Sequence, residues 1–185
     1  SDCGGADWDR VVIESAGDDG VTFDHTRTAG FNPTGVLDVV QGGFTPLLFA
    51  ARHGDLDIAK HLVAGGASVH DAALTGTSAL VVAAHSGHTA VTLLLLEHGA
   101  DPNAAASGYT ALHVATLRGD EVVARALLAK GANPNTSIER GSPGRRNSPD
   151  YVLEHDLVGA TPFWLAARFA EPDIMQALID AGAHP

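Results

Sequence analysis

The sequence predicts an all-α fold, a solenoid of stacked helix–turn–helix units, from two features that recur in phase. Four similar segments begin with glycines that are spaced by 33, 32 and 51 residues. These glycines are Gly43, Gly76, Gly108 and Gly159. A second set of glycines, each followed by Ala, repeats with the same spacings at Gly66, Gly99, Gly131 and Gly182. Self-similarity at such a period is typical of repeat arrays, whose units bury their apolar faces against one another.

Each unit contains the signals of two short helices. Thr45 precedes the apolar run of the first unit, where its hydroxyl can cap the orphan amides of a helix, and Pro46 follows at a position where a missing N–H costs nothing. Small Ala pairs allow this helix to pack closely against its neighbours, and Gly54 ends it. A second helix is predicted over residues 56–64 from its apolar stripe, and Gly66 ends it.

The pattern Gly-x-Thr-Pro-Leu, Ala-Ala, Gly, Leu-Leu, Gly-Ala-Asp-Pro-Asn runs through residues 43–185 and resembles the ankyrin-repeat family. The resemblance implies a helix–turn–helix in each repeat, turn "fingers" that project at right angles, and protein recognition on the concave face of a curved stack. It also implies that His113 is structural. The long fingers and the Gly-Ala-Thr-Pro-Phe-Trp motif are similar to uncharacterised bacterial ankyrin-repeat proteins, several of which are exported.

The predicted domain organisation follows the repeats. Residues 1–42 form an N-terminal segment with a long finger over 21–42, interpreted as the remnant of an upstream repeat. Residues 10–14 are either a degenerate second helix of that repeat or a strand. The four recognisable repeats span 43–75, 76–107, 108–158 and 159–185. The third contains an inserted loop, 136–158, and the array is expected to continue, or to be capped by a partner, beyond the last repeat.

The composition limits the partners and the compartment. A formal charge of −11, from 22 acidic and 11 basic residues, opposes nucleic acid, whose binding depends on cations that neutralise phosphates. No apolar run approaches the roughly 18 residues of a membrane-spanning helix. The single cysteine, Cys3, excludes an intrachain disulfide and is either an exposed thiol or a lipidated or bridged N-terminal residue. The resemblance favours an exported or periplasmic protein, with a cytoplasmic one as the alternative.

The sequence contains no recognisable catalytic, cofactor or metal motif. It lacks the Gly-x-Ser-x-Gly elbow and the phosphate-binding Gly-x-x-x-x-Gly-Lys loop. His85 and His88 are three residues apart, but Gly87 lies between them and breaks a shared helical face. We therefore predict a protein without catalytic activity, cofactor or bound metal.

The contact positions of the ankyrin family predict a binding surface when they are carried over to this sequence. They are the finger tips and the two residues that follow the Ala-Ala pair. Six of the eleven basic residues fall on this surface or on the adjoining insertion, so the expected partner is a protein with an acidic surface, unless these arginines only offset local acids. The predicted contact residues are Phe44, Arg52, His53, Thr77, His85, Ser86, Tyr109, Leu117, Arg118, Arg140, Arg145, Arg146, Arg168 and Phe169.

Two other functions remain open at this point. The chain can be an assembly component that stacks end to end, since its last helices carry no polar capping residues. Alternatively, it can be a regulatory or inhibitory domain of a larger enzyme. An apolar surface at the end of the array also predicts self-association or membership of a larger complex.

Overall fold

The structure, a computed structural model, describes residues 44–141 and 155–184 together with two short strands near the N terminus. The chain divides into two compact units, Ser1–Phe44 and Thr45–Pro185. Every α-helix that the structure describes belongs to the larger unit.

The N-terminal unit contains a pair of short antiparallel strands. Strand β1 spans Val12–Glu14 and strand β2 spans Thr22–Asp24, with Ile13 opposite Phe23. Of the two alternatives for residues 10–14, the strand is therefore observed and the helix was wrong. The predicted finger over 21–42 lies outside the described residues apart from β2 itself.

Four helix pairs build the larger unit in two layers. The first helices of the pairs, α1, α3, α5 and α7, pack side by side in one layer, and the second helices, α2, α4, α6 and α8, form the other. This arrangement confirms the all-α solenoid predicted from the repeat. The helices span Pro46–His53 (α1), Leu56–Ala64 (α2), Ala79–His85 (α3), Thr89–Glu97 (α4), Ala111–Leu117 (α5), Glu121–Ala129 (α6), Pro162–Phe169 (α7) and Pro172–Asp180 (α8).

The predicted caps set the starts of the helices. The hydroxyl of Thr45 accepts a hydrogen bond from the amide of Leu48 at 3.4 Å, and Ser78 and Thr161 cap α3 and α7 in the same way. Pro46 occupies the first turn of α1, where its missing donor has no consequence. The helix ends are also set by nearby residues. Gly54, for example, adopts a left-handed conformation with φ 74° and ends α1.

Small side chains allow the first helices to approach one another. Ala50, Ala51, Ala83 and Ala84 are all buried where α1 and α3 pack. The interior between the two layers is filled by aliphatic residues, with Leu47, Leu80, Leu95, Leu112, Leu127 and Leu178 among the largest fully buried side chains. Protein interiors are close-packed, so such a stack leaves little room for additional methylene groups.

Enlarging one of these alanines should destabilise the stack. We expect Ala84→Leu to lower the free energy of unfolding by about 1–3 kcal/mol, because the extra atoms must be forced into a filled interface. Ala90→Leu, at an exposed position of α4 in the same repeat, is the matched control and should stay within about 0.5 kcal/mol. Urea unfolding measures both, and equal midpoints for the two variants would contradict close packing at Ala84.

Asparagine side chains link the turns that follow the second helices. The amide group of Asn103 donates to the carbonyl of Gly131 at 2.9 Å and accepts from the N–H of Asn133 at 2.8 Å. Asn135 repeats this contact with the last repeat, since it donates to the carbonyl of Gly182 at 3.1 Å and accepts from the N–H of His184 at 2.8 Å. The third and fourth repeats therefore keep the regular register although extra sequence separates them.

Candidate protein-binding surface

The fingers, the turns that join one helix pair to the next, are tight and lie against one another. In the first finger the N–H of Ala73 donates to the carbonyl of Thr77 at 2.9 Å, and the N–H of Gly76 donates to the carbonyl of Ala73 at 2.8 Å. A Cβ added at Gly76 would lie 2.7 Å from the carbonyl oxygen of Ala106 in the second finger. The backbones of the first and second fingers are therefore in direct contact, and Gly76 has no room for a side chain.

The two ends of the predicted insertion are hydrogen-bonded to each other. The N–H of Ile138 donates to the carbonyl of Ala160 at 2.9 Å, and the N–H of Gly159 donates to the carbonyl of Ile138 at 2.7 Å. The N–H of Glu139 also donates to the carbonyl of Gly108 in the second finger at 2.7 Å. Residues 142–154, between these ends, lie outside the described residues.

Arg118, a predicted contact residue, extends back over the preceding repeat. Its Nη1 donates to the carbonyl of His85 at 3.0 Å. The guanidinium group lies over Gly87, where an added Cβ would come within 2.2 Å of Nη2. The side chain is exposed to solvent, but its position is fixed by this contact between repeats.

The same kind of contact recurs along the array at a set of glycines that we call the inter-repeat seats. Each seat is the glycine after a first helix, covered by a polar side chain of the following repeat. At Gly54 the cover is the ring of His88, whose Nε2 donates to the carbonyl of Arg52 at 3.0 Å. At Gly119 it is the carboxylate of Glu171. The three inter-repeat seats are Gly54, Gly87 and Gly119.

Arg140 also contacts the backbone of the preceding repeat, in its case at the second finger. Its guanidinium group donates to the carbonyl of Ala106 in the second finger, and its Cβ lies 2.7 Å from the position of a Cβ added at Gly108. The side chain is exposed, like that of Arg118. Two of the predicted contact arginines are thus held by backbone carbonyls and still face solvent.

Two predicted contact residues are buried, which corrects the sequence-based interpretation. Tyr109 is only 4% exposed, and burial raises the pKa of its hydroxyl, opposed by a hydrogen bond with the side chain of Thr77. Leu117, at the end of α5, is also buried. The interpretation of Tyr109 as a contact residue was wrong, because its side chain is buried and its hydroxyl bonds to Thr77 of the preceding finger.

An aromatic cluster with a central arginine lies on the last repeat. The Cζ of Arg168 is 5.4 Å from the ring centroid of Trp164 and 5.9 Å from that of Phe169. The rings are 45% and 40% exposed, respectively. Arg168 and Phe169 were predicted contact residues, whereas Trp164 was not, because it precedes the Ala-Ala pair and lies at none of the family contact positions.

The remaining predicted contact residues lie in the N-terminal unit, outside the described residues, or at mostly half-buried positions. Phe44 belongs to the N-terminal unit, and Arg145 and Arg146 lie outside the described residues. The others lie at the ends of α1 and α3 or in the first finger, and all except the exposed His53 are half-buried: Arg52, Thr77, His85 and Ser86.

His113 is a buried titratable group in the first helix of the third repeat. Its Nδ1 accepts a hydrogen bond from the N–H of Thr110 at 3.1 Å, and its Nε2 donates to the carbonyl of Thr136 at 2.9 Å. The ring is fully buried, and this burial lowers its pKa to about 4, although the backbone contacts with Thr136 and Ala160 act in the opposite direction. The structural role expected for His113 is confirmed by these contacts.

Among the residues that the structure describes, no group of three or more His, Cys, Asp or Glu side chains could hold a metal ion. None of the helices in the described ranges has the length and apolar character needed to cross a membrane.

The fold and its finger contacts define the class of protein, a helical repeat array, and a comparison with known families gives the family. The family model of ankyrin repeats, in three copies, matches residues 47–138. This part of the chain belongs to the ankyrin-repeat family, whose repeats generally mediate protein–protein interaction and are typically not enzymes. No curated protein matches the chain.

Proposed function

We propose that the chain is a non-catalytic interaction module that binds a protein partner on the surface formed by the fingers and the first helices, the concave face of an ankyrin array. The observation that carries this proposal is the pair of pre-positioned guanidinium groups at Arg118 and Arg140. Each is exposed and already anchored to a backbone carbonyl of the neighbouring repeat. Less side-chain entropy is then lost when a partner binds, which favours affinity.

The chemistry of these groups indicates a partner with carboxylates on its surface. Each guanidinium has five N–H donors in a planar fork, so it retains donors for a carboxylate after one is used internally. The charge of the whole chain, −11, would repel an acidic partner at long range. Recognition is therefore local, and Arg118 and Arg140 supply the attraction within about 8 Å, the Debye length at physiological salt.

Neutralising these arginines should slow association with the partner. A protein is first identified by capture on the immobilised full chain, and its binding kinetics are then measured. We expect the R118Q/R140Q double variant to reduce the association rate several-fold and to weaken its salt dependence, because surface charges act mainly on association. R125Q, on α6 in the other helix layer, removes an exposed arginine paired with Glu121 and is the matched control.

Two further results decide whether this surface is the correct one. Loss of the Arg118 and Arg140 hydrogen bonds should cost only about 1 kcal/mol of stability each, so the double variant should remain folded at the temperature of the assay. Unchanged kinetics for R118Q/R140Q, together with lost binding for R125Q, would place the partner on the second-helix layer instead.

A further inference from the structure

Two of the three inter-repeat seats place a nitrogen donor of the following repeat against the end of a first helix. At the first seat, Nε2 of His88 donates to the carbonyl of Arg52 at 3.0 Å. At the second seat, Nη1 of Arg118 donates to the carbonyl of His85 at 3.0 Å. Each acceptor lies two residues before the glycine of its seat. The last carbonyls of a helix lack partners within it and carry partial negative charge, so N–H donors stabilise this position.

The third seat, at Gly119, reverses this arrangement. The side chain that covers it is the carboxylate of Glu171, whose Oε1 lies 2.5 Å from the position of a Cβ added at the glycine. The carbonyl that corresponds to those of Arg52 and His85 belongs to Leu117, and no hydrogen bond to it is seen among the described residues. Two acceptors therefore lie at the end of α5, and no described side chain supplies the donor that the other two seats have.

Glu171 also forgoes the interaction that its position makes in two other repeats. It is the N-cap residue of α8, where no side-chain hydrogen bond is formed. The equivalent residues, Asp55 and Asp120, accept hydrogen bonds from backbone amides at 3.0 Å and cap α2 and α6. A carboxylate stabilises a helix N terminus and destabilises a C terminus. Glu171 therefore exchanges a favourable position for an unfavourable one, and departures of this kind are expected at functional sites.

We propose that the carboxylate of Glu171 and the carbonyl of Leu117, which we call the acceptor pair, bind an arginine side chain of the protein partner. A guanidinium group binds a carboxylate through two parallel N–H donors and keeps other donors for a carbonyl. Arg118 makes the same carbonyl contact at the second seat. The proposal rests on the proposed function and deepens it, because it gives the partner a basic side chain in addition to the carboxylate that binds Arg118.

Other occupants fit the acceptor pair less well. A calcium ion takes about six to eight oxygen ligands, and no group of three or more His, Cys, Asp or Glu side chains among the described residues could hold a metal. The formal charge of the chain, −11, attracts a cationic side chain and repels a second copy. The acceptor pair lies between the third and fourth helix pairs, which are both described, so it does not depend on where the sequence ends.

The free protein should gain stability when the charge of Glu171 is removed. We expect E171Q to raise the urea midpoint of unfolding at low salt, because the repulsion between the carboxylate and the carbonyl end of α5 is lost. The gain should shrink at high salt, where the charge is screened. E97Q removes an exposed carboxylate at the end of α4, away from any seat, and is the matched control with a smaller effect. A lower midpoint for E171Q would show that the carboxylate is already paired within the chain and would overturn the proposal.

Binding is tested on the isotope-labelled full chain by heteronuclear NMR, with the blocked tripeptide Gly-Arg-Gly as the probe at constant ionic strength. The control peptide contains citrulline, which has the shape of arginine without its charge. We expect the amide signals of Gly119 and Glu171 to shift with a Kd on the order of 10 mM. The affinity should fall about fivefold or more for E171Q, because the charge-assisted hydrogen bonds are lost. E97Q should bind the arginine peptide as the wild type does.

The outcomes of the peptide titrations are distinct. Shifts at Gly119 and Glu171 that require both the arginine charge and the carboxylate support the acceptor pair. Equal shifts with the citrulline peptide, equal affinities of E171Q and the wild type, or no saturable shift up to about 50 mM peptide contradict it. The blocked tripeptide carries no carboxylate, so its failure to bind leaves the proposed function intact, and the kinetics of R118Q/R140Q test that function separately.

Discussion

Acidification should destabilise the wild-type protein by about 3 kcal/mol more than it destabilises the H113Q variant. Burial lowers the pKa of His113 from 6.5 to about 4 in the folded protein, whereas the unfolded chain titrates near the ordinary value. The unfolded state therefore binds the extra proton first as the pH falls. The stability that the wild type gains from keeping His113 neutral is fully present above about pH 6.5, decreases between about 6.5 and 4, and is lost below that range. The pKa difference between the unfolded and folded states, converted at about 1.4 kcal/mol per pKa unit, gives the expected loss of about 3 kcal/mol.

Urea unfolding at a series of pH values from 7.5 to 3.5 measures this effect. The free energy of unfolding of H113Q is subtracted from that of the wild type, so that the carboxylates common to both proteins cancel. We expect H113Q to be less stable at pH 7.5, because the imidazole bonds to Thr110 and Thr136 are changed, and the two curves to converge as the pH falls. Curves that stay parallel over the whole range would show that His113 is not held neutral by burial.

The helices and their order were predictable because their determinants are local. Thr45, Pro46 and Gly54 act within one turn of α1, and the same signals recur in phase in the other repeats. Segment 10–14 was different, because a short apolar run without periodicity fits a helix or a strand equally well. Its pairing with residues 22–24 depends on a partner that the run itself does not specify.

The contact residues were predicted less well because repeat position does not determine where a side chain points. Arg118 and Tyr109 both occupy family contact positions. In the structure, Arg118 donates a hydrogen bond to the carbonyl of His85, whereas Tyr109 is buried and bonds with Thr77. Both outcomes depend on the neighbouring repeat. Trp164 shows the opposite case, since its position is buried in the earlier repeats and is exposed only where the described array has no following helix pair.

The insertion shows how a long-range contact can be hidden in a segment that sequence alone describes as a loop. Ile138 lies in the inserted loop, 136–158, that the sequence predicts in the third repeat. It is nevertheless fully buried, and its backbone pairs with residues 159 and 160, which follow the insertion. The same segment provides the carbonyl of Thr136 to His113. The base of the insertion is therefore part of the core between the third and fourth repeats.

Truncating this anchor should be among the most destabilising single changes in the protein. We expect Ile138→Ala to lower the free energy of unfolding by about 2–5 kcal/mol, because it removes a side chain that is 1% exposed and leaves a cavity at the junction of two repeats. Val158→Ala, near the other end of the insertion at an exposed position, is the matched control and should change stability by about 0.5 kcal/mol or less.

Two measurements distinguish a local role of Ile138 from a role in joining the repeats. Urea unfolding gives the change in stability of each variant. Hydrogen exchange then reports on the backbone bonds at the base of the insertion, where the amides of Ile138, Glu139 and Gly159 donate to carbonyls. If Ile138 anchors the fourth repeat to the third, these amides and those of α7 should exchange faster in Ile138→Ala than in Val158→Ala. Faster exchange limited to residues 138–140, with α7 as protected as in the wild type, would mean that the Asn135 contacts with Gly182 and His184 hold the last repeat without this anchor.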